Sequence, residues 1–128
     1  MSNPGEAVAV LNSYLDVHRG VTFPGIPAEY VALAIGQPGP DGTANPSAMP
    51  TGNQLTFNPA ADATLTMATL GSFTMTATET ISHCVRRSQA APGGTFYGSH
   101  ALTTPVPVIN GSVVSFTTFT MSCGPKAV

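Results

Sequence analysis

The sequence has little charge: 8% of its 128 residues are Asp, Glu, Lys or Arg, where a soluble domain usually carries about 25%. Four Lys and Arg against six Asp and Glu leave a net charge of −2, without the basic face that nucleic-acid binding needs. There is no Trp, the side chain on which sugar-binding sites most often stack their ligands. Only two cysteines occur, Cys84 and Cys123, and in a cytosolic product such a pair is more often two buried apolar residues than a disulfide. No apolar run approaches the 18 or so residues of a membrane helix, so no membrane partner is expected. The apolar stretch Ala7 to Leu15 follows Ser2-Asn3-Pro4-Gly5-Glu6 and lacks the basic residue that opens a secretory signal. The expectation is a product made and folded in a cytosol.

Chemistry is sparse as well. The acids Glu6, Asp16, Glu29, Asp41, Asp62 and Glu79 stand one at a time, whereas hydrolysis wants paired carboxylates or a nucleophile beside a base. No nucleophile elbow, zinc-protease, phosphate-loop or dinucleotide motif occurs. His83, Cys84, His100 and Cys123 come nearest to a metal set, but adjacent His83 and Cys84 point to opposite faces of a strand and do not readily share one ion. His83 reads as a satisfied strand residue. No enzyme, cofactor or metal is expected.

What is present is a folding chain. Hydrophobic residues make up 42%, the opposite of a disordered composition, and the length fits one domain over residues 1–128. With charge this low, hydroxyls, amides and backbone must supply the polar surface, and much of that surface is expected to meet other protein.

One helix is predicted over residues 3–19. Asn3-Pro4-Gly5-Glu6 resembles a capping box, Ala7, Val10, Leu11, Tyr14, Leu15 and His18 form one stripe facing the rest of the domain, and Gly20 suits a left-handed stop. After Gly20 the period becomes two. Strands are predicted at Glu29–Ile35, with Val31, Leu33 and Ile35 on one face, and at Gln54–Phe57. Two threonine-faced segments follow on either side of Gly71, then Thr80–Arg87, with Ile81, His83 and Val85 on one side, and Thr95–Leu102. Pro105 and Pro107 mark a connector or edge. Asn110-Gly111 turns into a last strand, Val113–Cys123, whose apolar parity changes; a bulge at Thr117-Thr118 would keep Val114, Phe116, Phe119, Met121 and Cys123 on the core face. Between Gly36 and Asn53 runs a Pro/Gly-rich loop, longer than structural loops usually are, which is expected to act as an arm and to order on a partner. The predicted fold is mainly β: an antiparallel sandwich or flattened barrel of about seven strands over 29–123, with one N-terminal helix.

Two stretches carry a resemblance. Tyr30-Val31-Ala32-Leu33 before the Pro/Gly loop is one, and Gly94-Thr95-Phe96-Tyr97-Gly98-Ser99-His100-Ala101-Leu102-Thr103-Thr104-Pro105 is the other, continuing through Val106–Gly111 and Val113–Phe116. The chain resembles, over Leu11 to Met121, the small virion structural proteins of tailed bacteriophages, described as tail-fibre-like, minor tail or capsid accessory proteins. It departs from them in the length of the 36–53 loop and in Arg86-Arg87. The resemblance implies a non-enzymatic virion protein assembled in the bacterial cytoplasm, and its motifs record a fold with no site.

Low charge suits such a role, because burying unpaired ions against neighbours is costly. No repeat or heptad that would give a long fibre is present. Decoration of the capsid through the major capsid protein is therefore the first reading, a small tail or tail-tip protein contacting tail proteins the alternative, and a carbohydrate-binding adhesin module the third. A homo-oligomer or symmetric cluster is expected. The candidate partner-binding residues are Gln37, Pro38, Pro40, Asp41, Pro46 and Met49 on the loop, Arg86 and Arg87 at a rim, and Pro105 and Pro107 on the connector.

Overall fold

The computed structural model describes residues 5–23 and 25–122. Helix α1 (Val8–Asp16) runs into a 3-10 turn (Val17–Arg19), and eight strands follow: β1 (Glu29–Ala34), β2 (Asn53–Phe57), β3 (Thr64–Leu70), β4 (Phe73–Thr74), β5 (Glu79–Arg87), β6 (Phe96–Val108), β7 (Val113–Val114) and β8 (Thr120–Ser122). Six of them form one sheet in the order β6-β5-β1-β2-β3-β8, and β4 and β7 form a small second sheet. Every pairing is antiparallel. The large sheet curls into a half-barrel or sandwich. His100 on β6 meets Phe119, just before β8, edge to face with ring centroids 5.1 Å apart, so the two ends of the strand order approach across the interior. Val31, Leu33, Leu55, Phe73, Met75, Ile81, Cys84, Val108 and Phe119 form the core.

β1 lies inside the sheet, and from Val31 to Ala34 it is shut from water on both faces, Ala32 and Ala34 as completely as Val31 and Leu33. Ile35 is not its third inward residue. Its N–H donates to the Asn45 carbonyl at 2.9 Å, which draws it out of the strand and leaves it 44% exposed. In β5 the predicted trio Ile81, His83 and Val85 does not hold together, because the register against β6 shifts between Ile81 and His83. Across that shift β6 carries Leu102 to Pro105 opposite the single Ser82. Ile81 and Cys84 therefore share the core cluster despite a spacing that plain alternation would send to opposite faces. β6 runs through Pro105 and Pro107, as an outermost strand can, since a missing N–H there breaks no interior ladder.

The helix starts later than the sequence suggests. Asn3 and Pro4 of the predicted capping box lie outside the described residues. Glu6 is bridged to Gly98, the Gly5 carbonyl accepts from Ser99 N–H at 2.7 Å, and Ala7 N–H donates to the Tyr97 carbonyl at 2.8 Å. Pairing with β6 thus draws residues 5–7 into extended structure, and α1 begins after Ala7 with no side-chain cap. Gly20 takes the expected left-handed stop, φ 81°. The stripe is only half used: Ala7 and Val10 pack with Tyr97, Ile26 and Phe96, while Leu11 and Leu15 stay exposed.

The last predicted strand is two. Val113–Val114 pairs with β4 and Thr120–Ser122 with β3, and the residues between cross from one sheet to the other. Val114, Phe116, Phe119 and Met121 all reach the core, through that crossing and not through a bulge at Thr117-Thr118. Cys123 lies outside the described residues; Cys84 is a buried free thiol that burial pushes up to about 12, against the pull of the Arg86 charge.

The Pro/Gly loop folds back on its own sheet and makes its own hydrogen bonds there. Ser47 N–H donates to the Leu33 carbonyl at 3.1 Å, Ala44 N–H to the Pro38 carbonyl at 2.9 Å and Gly52 N–H to the Ala90 carbonyl at 2.8 Å. Glu79 holds its middle: Ser47 Oγ donates to Oε1 at 2.6 Å and Ala48 N–H to the same oxygen at 3.1 Å. Glu79→Ala strands both donors, and a hydrogen bond to a charged group contributes about 1.5–3 kcal/mol. The variant is expected to be cut between residues 36 and 52 at least several-fold faster in limited proteolysis mapped by mass spectrometry; an unchanged rate there would show that the backbone bonds alone hold the loop.

Candidate functional site

The strongest charge arrangement is inside the fold. Arg86 follows Cys84 on the same side of β5 and is fully buried. Its Nη1 donates to both oxygens of Glu29 at 3.2 Å, its Nη2 to Glu6 Oε1, and its Nε to His100 Nε2 at 2.9 Å. Three distant parts of the chain, the N-terminal segment, β1 and β6, thus converge on one guanidinium. Gly98 makes the room, since a Cβ there would lie 2.5 Å from Arg86 Nη2. Burial alone would pull the Arg86 proton affinity down, but the charges of Glu29 and then Glu6, with their hydrogen bonds, carry it above its ordinary value. Glu6 Oε2 is buried without a hydrogen-bond partner.

His100 completes the group as a neutral ring. It accepts at Nε2, so its proton sits on Nδ1. Burial, reinforced by the Arg86 charge, holds it down at about 4 from an ordinary 6.5. The unfolded chain therefore binds this proton first on acidification, and the stability tied to His100 is present above about pH 6.5 and lost as pH falls towards 4. A melting-temperature series from pH 7.5 to 4 is expected to fall across that window, with a shallower fall in His100→Gln. Parallel curves for the two proteins would contradict it.

Two surface concavities flank this cluster. A groove of about 240 Å³ lies where the loop meets the β5–β6 turn, and it gathers Asp41, Pro46 and Arg87 with Pro50, Pro92 and Phe96. The Phe96 ring packs on Gly42, where φ is 74° and a Cβ would come within 2.4 Å of it. Arg87 donates from Nη2 to the Pro50 and Ala90 carbonyls, both at 2.6 Å, and from Nε to the Gln89 carbonyl at 3.0 Å. It ties loop to turn, and burial lowers its proton affinity. Asp41 is held below the usual carboxylate value by its hydrogen bonds from Thr43. The second concavity, a cleft of about 450 Å³, lies between the wide β6 bulge and the 115–119 crossing. Its lining is hydroxyl-rich, Thr103, Thr104, Ser115, Thr117, Thr118 and Thr120 beside His100, and holds no carboxylate. Such a wall offers neutral hydrogen bonds and no acid–base pair.

The candidate contact residues from the sequence therefore separate. Pro38 and Arg86 are fully buried and are corrected from surface contacts to interior ones. Adjacent residues of a strand face opposite ways, so only Arg87 of the basic pair reaches the groove. Met49 is half-buried and packs on the core, Gln37 is half-buried and accepts from Asn45 Nδ2 at 2.9 Å through its carbonyl, and Pro40, Asp41, Pro46, Pro105 and Pro107 are exposed. Nothing in the sequence groups Glu6, Glu29 and His100, since each is isolated in the chain and only the fold brings them together on Arg86. His83 is satisfied locally, its Nδ1 2.7 Å from Ser82 Oγ. Among the described residues no three His, Cys, Asp or Glu side chains are grouped to hold a metal ion.

No curated protein matches the chain. A family model described as Podophage GP4 fiber I protein gp80 matches residues 7–123. That span covers the chain from the start of the helix to the last strand, and the chain belongs to the podophage GP4 fiber I protein gp80 family, as a phage virion structural protein of the tail-fibre-like kind.

Proposed function

We propose that the protein is a non-enzymatic subunit of a virion fibre, joined to neighbouring tail or fibre proteins and to copies of itself through low-charge surfaces. The observation that carries this reading is the family match across residues 7–123. It favours the tail-fibre alternative over the capsid decoration expected first from the sequence. The absence of repeats or heptads remains a fact of this chain; length in the fibre then comes from joining globular subunits.

The surface chemistry supports the reading. With 8% charged residues, little ionic desolvation opposes burial against a neighbour. The exposed residues Pro40, Asp41 and Pro46, with Arg87 in the groove beside them, are the proposed contact on the loop side, and Pro105 and Pro107 the contact on the β6 side.

Copy number tests it. Quantitative mass spectrometry of purified virions, scaled to the major capsid protein, is expected to give a small number of copies set by the fibres and co-fractionating with detached tails or fibres. Hundreds of copies that stay with the empty head shell would overturn it in favour of capsid decoration.

A further inference from the structure

Two departures from regular sheet shape the cleft beside β6. On β6, Leu102 to Pro105 stand opposite the single Ser82, and a bulge re-aims side chains that plain alternation would place elsewhere. Facing it, residues 115–119 leave β7 for β8. The space between is about 450 Å³, within the range of small-ligand sites. Thr103 and Thr104 on one side and Ser115, Thr117, Thr118 and Thr120 on the other are all exposed at its mouth. No Asp, Glu, Lys or Arg lines it. Leu102 and Phe116 are half-buried in its wall, and the Phe116 ring is steadied edge to face by Phe73.

One polar group in this wall is unused by the fold. His100 Nε2 accepts from Arg86 Nε at 2.9 Å, so the ring proton sits on Nδ1. That N–H has no hydrogen-bond partner among the described residues and is not shut from water. It is a fixed donor, because Arg86, itself held by Glu6 and Glu29, grips the other ring nitrogen.

We infer that this cleft is a binding site for a neutral saccharide, with the Thr and Ser hydroxyls and His100 Nδ1–H as polar contacts and Phe116 as the apolar one. A side-chain hydroxyl both donates and accepts, as every sugar hydroxyl does, so wall and ligand satisfy each other in either sense. A charged ligand would lose hydration here and find no counter-charge. A protein segment docks through aromatic or other apolar anchors, and the exposed apolar side chains at this mouth are only Ala101 and Val106. A pyranose wants many hydrogen bonds and one apolar patch for its C–H face, which Phe116 and Leu102 supply. The inference concerns the cleft alone, so its failure would leave the fibre role standing.

Amide shifts of the isotope-labelled full chain test it, with methyl glycosides of glucose, galactose, mannose, rhamnose and N-acetylglucosamine as probes. At least one is expected to shift the amides of residues 100–104 and 115–119 saturably, with a dissociation constant of about 10 mM or below. Thr104→Val with Thr118→Val is expected to weaken that binding at least about tenfold. The rest of the spectrum should stay unchanged, because both side chains are exposed. Should the pair disturb the fold, Thr103→Ala and Thr117→Ala, made singly, are each expected to weaken binding about threefold or more. N-acetylneuraminic acid and a hexose phosphate are expected to leave the same amides unmoved. Shifts confined to other surfaces, full affinity in the variants, or tighter binding of an anionic sugar overturns the proposal. So does the lack of a saturable shift with any neutral sugar, which would favour a neighbouring protein chain as the occupant.

Discussion

Arg86→Ala is expected to lower the unfolding free energy by about 3–5 kcal/mol, the cost of removing one member of a buried ion cluster. The loss comes less from the missing attraction than from what remains: the Glu29 and Glu6 carboxylates lose their counter-charge, and His100 Nε2 loses its donor. A change of that size is a large share of the 5–15 kcal/mol that holds a domain together. Denaturant titration measures it. The same reasoning predicts partial recovery when charge and counter-charge leave together, so Arg86→Met with Glu6→Gln and Glu29→Gln should be more stable than Arg86→Met alone. A shift under about 0.5 kcal/mol for Arg86→Ala, the usual size for an exposed residue, would mean that the guanidinium is not enclosed as described.

Phe73→Ala should be comparably damaging for a different reason. Phe73 is 1% exposed and stands edge to face with Phe116, ring centroids 6.1 Å apart. It joins the two-stranded sheet to the large one, because its own strand β4 pairs with β7 while its ring enters the core. Truncating a buried Phe costs about 3–5 kcal/mol through lost transfer energy and the cavity left behind, or a fall in Tm of roughly 10–20 °C for a domain of this size. Hydrogen exchange is expected to rise first in β4, β7 and the 115–119 crossing. A uniform rise across β1 and β5 as well would show that the small sheet is not a separately lost unit.

The sequence made the fold class, the Gly20 stop, β1, β5 and the turn at Asn110-Gly111 legible, because each rests on local pattern. It could not show what depends on distant pairing. Residues 5–7 carry good helix-starting chemistry, yet β6 takes them into extended structure from about 90 residues away. The parity change after Phe116 was visible, but a bulge and a crossing between sheets restore the core face equally well, and only strand partners separate them. The Gly36–Asn53 loop looked free by composition, since nothing local shows that Glu79 will hold Ser47 and Ala48. For the site, Arg86-Arg87 stands out in the sequence as a basic pair, and the alternation of a strand divides it, sending one guanidinium into the interior and the other to the groove.

The assembly role itself is tested most directly by where the protein sits. Gold-labelled antibodies against the chain, applied to intact virions and viewed by electron microscopy, are predicted to mark fibres projecting from the particle at a few discrete positions. Even labelling over the whole head shell, or particles that bind no label although the protein is present in infected cells, would contradict a fibre subunit.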